Sequence, residues 1–263
     1  MAEHRGEPVA PAGFEADLAA LNDTLRRALE AAGADPVLNG NLFYAHLLPR
    51  FWEAPPEPEM EAKRQTLTDV ARRGRTLLEI GVNGGHSLLI AKAANPDLAC
   101  IGLDIAAQVD PTWARVDLYV PVAMDWLARR YPGDMRFLVG DSRLECPRLA
   151  VAEPDLRIDI LHVDGAKETY LRDVVNLMPL LHPASLVVID DTDMAVVRLQ
   201  VSQLVRAGLM ELHPDFPPER HQKYQHVVLR PLPDPARARG LRRLGKRALW
   251  RLGLDRRLPY GWG

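Results

Sequence analysis

Cysteine is nearly missing: the chain has two in 263 residues, Cys100 and Cys146, with no Cys-x-x-Cys pair and no Cys/His spacing around them. That scarcity leaves no disulfide framework and no thiolate metal site to build, so both thiols are expected to be reduced, structural residues. Long apolar runs are missing too. No stretch reaches the roughly 18 apolar residues that suggest a membrane span, and the opening MAEHRGEPVAPAG has no apolar signal core. A cytoplasmic protein is the expectation. Internal repeats are absent, and the one low-complexity stretch is the Pro/Glu-rich Ala54–Glu61.

What is present suffices for one sizeable core: 47% hydrophobic and 26% charged residues, at a length that suits a single α/β domain with extra helices. The net charge of −2 hides a segregation. Residues 236–257 carry 9 Arg/Lys against the single acid Asp255, leaving 24 bases and 34 acids in the rest. Leu241, Leu244, Ala248 and Leu252 share a helical face in this basic tail, which Gly240, Gly245 and Gly253 weaken. Three readings stay open for it: packing on the acidic body or a second subunit in an oligomer, peripheral membrane contact, or nucleic acid. Packing is preferred, and nucleic acid is not an expected partner.

Helical spacing covers Phe14–Ala32, with Leu18, Leu21, Leu25 and Leu29 on one face, then Asn41–Phe51 and Met60–Arg73. This makes residues 1–74 an N-terminal helical cap. From Arg75 short apolar runs alternate with helical ones. Strands are expected at TLLEIG, Ala99–Asp104, Arg136–Val139, Asp159–Val163 and Leu186–Ile189. Helices are expected at Ser87–Ala94, Val120–Arg130, Thr169–Leu181 and Ala195–Ala207. Met210–His213 and Gln225–Leu229 have no helix between them and form an antiparallel hairpin. The fold class is therefore α/β: a doubly wound, Rossmann-like, mostly parallel seven-stranded sheet over residues 75–231, followed by the tail 232–263. Ligands in such sheets bind at the carboxyl ends of the strands.

At the end of the first strand stands Glu79-Ile80-Gly81-Val82-Asn83-Gly84-Gly85-His86-Ser87, where glycines let backbone approach a ligand. Asp104 closes the second strand 19 residues after Gly85, placed to accept from ribose hydroxyls. This spacing fits any adenosine-type ligand. The pattern is GxxGG rather than GxGxxG, and Glu79 is an acid inside the strand, which disfavours a pyrophosphate. Both features suit S-adenosylmethionine (SAM), whose sulfonium and ammonium are positive. Farther on, Asp164 ends one strand and Asp190-Asp191 end the next. Adjacent strands lie about 4.8 Å apart, so three carboxylates converge. Without a counter-ion that is costly, and a hard divalent cation such as Mg²⁺ would relieve it.

The segments LLEIGVNGGHS, IGLDI and VGDS resemble motifs of the SAM-dependent methyltransferases. The resemblance covers about residues 75–230 and implies roles: Gly81 and Asn83 along the methionine part, Asp104 at the ribose, Asp141 and Ser142 at the adenine. Glu79, Gly85 and Ser87 complete the cofactor set. Asp164-x-x-Lys167-x-x-Tyr170 resembles the Mg²⁺-dependent catechol and caffeoyl-coenzyme A O-methyltransferases, in which an aspartate metal ligand precedes a lysine base by three positions. Those enzymes carry Asp-Asn on the next strand. Asp190-Asp191 is more similar to the macrolide and sugar O-methyltransferases. The resemblance implies Asp164, Asp190 and Asp191 as metal ligands and Lys167 as a base made partly neutral by the metal. It implies a small hydroxylated acceptor. VDGA stands where nucleic-acid amine methyltransferases have Asn/Asp-Pro-Pro-aromatic, so an oxygen is the expected target. An NAD-linked oxidoreductase, and a binding protein that keeps this fold and uses its tail on membrane or RNA, are the alternatives.

His162 is expected to pack in the core. HPDFPPERHQKYQH, with His213, His221 and His226, is expected as a surface loop. His86 either packs over the cofactor or starts its helix. Trp52, Trp113 and Trp126 are read as core residues, with an aromatic acceptor site as the alternative.

Overall fold

A computed structural model describes residues 13–44, 46–131, 133, 135–218 and 225–232. The four leucines of the first helical stripe form the buried face of α1 (Phe14–Ala31). Two short antiparallel strands follow, β1 (Val37–Leu38) and β2 (Leu48–Pro49). The helix expected over Asn41–Phe51 does not form. The Asn41 side-chain oxygen accepts from the Phe43 and Tyr44 amides at 2.7 and 3.3 Å, a local alternative to the helical ladder. α2 (Glu61–Ala71) completes the cap.

The alternation beyond Arg75 gives β3 (Thr76–Ile80), α3 (His86–Ala94), β4 (Ala99–Asp104), α4 (Val116–Arg130), β5 (Met135–Val139) and α5 (Ser142–Ala152). It continues with β6 (Ile158–Val163), α6 (Tyr170–Leu177), β7 (Leu181–Ile189), α7 (Ala195–Arg206), β8 (Met210–Leu212) and β9 (Val227–Pro231). Spatial order is β5-β4-β3-β6-β7-β9-β8. β3 to β7 pair in parallel, while β9 runs antiparallel to both β7 and β8, closing the sheet with the expected hairpin. Helix α5 was not anticipated, because Pro147 interrupts a polar stretch. It forms because the Asp141 side chain caps its start, accepting from the Arg143 amide at 2.9 Å.

From β3 the chain winds outward to β4 and β5, then returns to β6 on the other side of β3. The carboxyl ends of β3 and β6 are therefore the switch point of the sheet, where this architecture leaves a crevice. Successive strand residues face opposite sides. Leu77 joins a cluster with Leu21, Leu25, Leu88, Tyr119 and Leu127, and Leu78 one with Leu161, Tyr170, Val174 and Val187. The first cluster contains the leucines of α1, so cap and sheet share one core.

α6 buries a charge-bearing side chain within this packing. Asp173 is fully buried; one oxygen accepts from the Thr169 hydroxyl at 2.7 Å and the other has no partner among the described residues. Burial pushes its pKa from 3.8 up to about 6. A carboxyl raised on folding costs nothing below its unfolded pKa, and stability is then lost as pH rises towards the folded value. Asp173→Asn is thus expected to add about 3 kcal/mol at pH 8 and little at pH 3.5 in urea denaturation. An equal gain at both values would count against this account.

Candidate active site

The turn after β3 is left-handed at three positions, Gly81 (φ +88°), Asn83 (+51°) and Gly85 (+76°). A Cβ on Gly81 would strike the Asp164 carbonyl and lie 2.7 Å from the Gly165 nitrogen. At Gly81 the missing side chain therefore makes room for the loop after β6, whereas sequence reasoning assigned that room to a ligand. At Gly85 a Cβ would come 2.9 Å from Leu127. Asp104 stabilises the turn: one oxygen accepts from the Val82 and Asn83 amides at 2.8 and 3.2 Å, the other from Ala106 at 2.8 Å.

Several expected ligand residues have protein partners. Asn83 donates to the Gly40 carbonyl at 2.6 Å and accepts from the Tyr119 hydroxyl at 2.8 Å, tying the turn to the cap and to α4. Asp141 pairs with Arg143, which holds its pKa below the usual carboxylate value. Ser142 starts α5, and Ser87 is buried in the first turn of α3. Glu79 is buried and registers beside His162 on β6; Oε1 lies 2.7 Å from His162 Nδ1. Glu79 Oε2 has no partner among the described residues, an acceptor left open within one strand residue of the turn. That orphaned oxygen fits a ligand with a cationic head.

The acidic residues converge as the topology requires. The Asp164 amide donates to Ile80 at 2.8 Å and the Asp190 amide to Val163 at 3.1 Å, which sets the three strand ends in step. Lys167 Nζ lies 2.8 Å from Asp164, 2.6 Å from Asp191 and 2.9 Å from the Tyr170 hydroxyl. A second cation, Lys63 of α2, contacts Asp190 and lies 3.4 Å from Asp191. The counter-charge expected for these carboxylates is supplied in part by the protein: two ammonium groups offset two of the three anions. One ligand atom each from His162, Asp164 and Asp190 also fall within 4.8 Å of one another, the spacing of a metal site. Yet His162 Nδ1 is engaged by Glu79, and one oxygen of Asp164, one of Asp190 and both of Asp191 face a lysine. His162 Nε2 and the second oxygens of Asp164 and Asp190 face no lysine, but the two ammonium charges already set against these carboxylates would oppose a divalent ion entering beside them.

The electrostatics follow from this pairing. Burial lowers the pKa of both lysines, but Asp190 and Asp191 at Lys63, and Asp164, Tyr170 and Asp191 at Lys167, more than reverse it. Both are ammonium ions. The carboxylates thus move Lys167 in the direction opposite to the lowering expected from a bound metal. Asp164 is raised by burial, and Lys167 offsets only part of that. Asp191 is lowered, because Lys167 and Lys63 outweigh burial.

Two residues were missed. Lys63 falls on the buried stripe of α2 with Leu67, Val70 and Ala71, and Gln200 on that of α7 with Val197 and Leu204. Gln200 donates to the Lys167 carbonyl at 2.6 Å and accepts from the Leu171 amide at 2.8 Å, holding the Lys167 loop. A polar residue at a core position of a helical stripe was the available signal. His226, expected in a surface loop, is partly buried. Burial, aided by the charges of Lys63 and His162, pushes its pKa down to about 4. The Gln225 carbonyl accepts from Thr192, which docks that strand on the turn after Asp191. His221 and the tail beyond Leu232 lie outside the described residues. His86 packs against Phe43 and Tyr44 of the cap. Trp113 is exposed, and Trp52 and Trp126 are partly buried against the core.

Residues 78–192 match the profile of a family described as a methyltransferase domain. They span the glycine turn, Asp104 and all three acids of the cluster. That segment, a little under half of the chain, is similar to the methyltransferase domain. Three solved structures share the fold. The O-methyltransferase TomG from Streptomyces achromogenes, in complex with SAM, is 18% identical, with a TM-score of 0.53 over 81% of this chain and 90% of that one. Cofactor-bound Rv0187 from MTB is 18% identical, with a TM-score of 0.57 over 87% and 100%. The O-methyltransferase from Bacillus cereus in complex with SAH is 15% identical, with a TM-score of 0.51 over 80% and 91%. No curated protein matches this chain by sequence. No helix among the described residues is long and apolar enough to cross a membrane.

Proposed function

We propose that the chain transfers a methyl group from SAM to a hydroxyl oxygen of a small-molecule acceptor. One observation carries this reading: the glycine turn after β3 packs directly on the backbone of Asp164-Gly165, so the cofactor turn and the acid–lysine cluster share a wall at the switch point. Solved structures of this fold have SAM or SAH bound, which supports SAM as the ligand. Gly81, Gly85 and the Asn83 backbone would line the cofactor, Glu79 would face its cationic head, and Ser87, Asp104, Asp141 and Ser142 would complete its site. SAM supplies a methyl group on a positive sulfur, already activated for displacement.

The remaining work falls to this chain's residues. Lys167, fixed by Asp164, Asp191 and Tyr170, donates to the acceptor oxygen and holds it in line. Asp164, whose proton affinity burial has raised, takes the hydroxyl proton as the oxygen attacks. Lys167 is thus a cationic holder, and the base is its carboxylate partner. Calorimetry is expected to show one SAM site and no NAD site, and SAH is expected to accumulate when a hydroxylated aromatic or sugar acceptor is added. Binding of NAD in preference to SAM would replace this reading with the oxidoreductase one.

A further inference from the structure

The acidic cluster draws one of its two cations from the cap, outside the segment that matches the methyltransferase profile. Lys63 is only 5% exposed, and α2 is held firmly. Leu67, Val70 and Ala71 are buried beneath it, and Arg64 donates to the carbonyls of Leu42 and Glu57 at 3.0 and 3.1 Å. The Lys63 ammonium therefore cannot swing into solvent as a surface lysine would. It occupies the place of a cation bridging Asp190 Oδ1 and Asp191 Oδ1. Together Lys63 and Lys167 bring two positive charges to Asp164, Asp190 and Asp191, the same charge that one divalent ion would bring.

We infer that Lys63 stands in for a divalent cation at this site, so that the methyl transfer proposed above runs without a metal. The inference rests on that reading for its chemistry, but its central claim concerns metal binding. An ammonium needs only one acceptor atom per hydrogen bond. The acceptor class accordingly widens to compounds with a single hydroxyl and no vicinal diol.

The test uses the full chain stripped with EDTA and dialysed, titrated with Mn²⁺ and followed by the electron paramagnetic resonance of the free ion. Lys63→Met keeps the apolar stem and removes the charge; Lys63→Arg keeps the charge. Wild type and Lys63→Arg are expected to bind Mn²⁺ only weakly. Lys63→Met should bind one ion at least about tenfold more tightly, because the ligands' charge is no longer matched. Wild-type turnover should be the same in EDTA and in Mg²⁺. One tightly bound Mn²⁺ in the wild type, or turnover abolished by EDTA, would overturn the inference. So would a folded Lys63→Met that gains no affinity; if that variant fails to fold, the wild-type titration decides alone. Absence of SAM binding would sink the methyltransferase reading instead and leave the Mn²⁺ result readable.

Discussion

Replacing Lys167 with methionine is expected to lower turnover by about two to four orders of magnitude while SAM still binds. The side chain reaches Asp164, Asp191 and Tyr170 together, and it is the cation that an acceptor oxygen would meet. Methionine preserves the stem and removes three hydrogen-bond donors and the charge. The cofactor turn touches the backbone of Asp164 and Gly165, not Lys167, so affinity for SAM should be nearly unchanged. Asp164 and Asp191 each lose a partner. Because Lys167 is 27% exposed, the stability cost should be well below the roughly 3–5 kcal/mol of breaking a fully buried pair. Single-turnover kinetics, calorimetry and urea denaturation on one preparation separate these effects. Turnover within about threefold of wild type, a loss of less than 1 kcal/mol in the barrier, would remove Lys167 from the transfer step.

The second large effect is on acid stability. His86 is buried, its Nε2 lies 2.8 Å from Asn22 Oδ1 of α1, and its Nδ1 has no partner among the described residues. Burial pushes its pKa from 6.5 down to about 3. A base lowered on folding leaves stability intact above its unfolded pKa; that stability is lost as pH falls through 6.5 towards the folded value. This single ring should therefore cost about 4 kcal/mol between pH 7 and pH 3. His226, lowered to about 4, acts in the same direction with about 3 kcal/mol. His86→Gln keeps a donor for Asn22 and cannot ionise. It should be less stable than wild type at pH 7, yet lose less on acidification. Parallel stability curves for the two proteins across that range would contradict the assignment. Since His86 joins α1 to the first turn of α3, the acid transition should begin where the cap meets the cofactor turn.

Legibility differed between backbone and site. The short apolar runs located every strand of the large sheet, because burial on both faces of its parallel strands demands near-continuous apolar residues there. The same runs placed Asp164, Asp190 and Asp191 at strand ends. Errors fell where side chains compete with backbone hydrogen bonding. Asn41 captured two amides and cancelled a helix, and Asp141 capped one that Pro147 had hidden. Chemical states were harder still. Lys167 was found from its spacing, but its charge depends on three neighbours from two loops and a helix.

The order and type of elements, the acid-bearing strand ends and the glycine turn were set by local sequence, since each rests on periodicity or on residues a few positions apart. Only the folded chain could decide which charges meet. Lys63 and Asp190 are joined across the cap–sheet boundary, Glu79 and His162 by register between adjacent strands, and Gly81 is kept bare by a loop that arrives more than eighty residues later. Long-range proximity is a property of packing, and the ionisation of a buried group follows its neighbours in space rather than those along the chain.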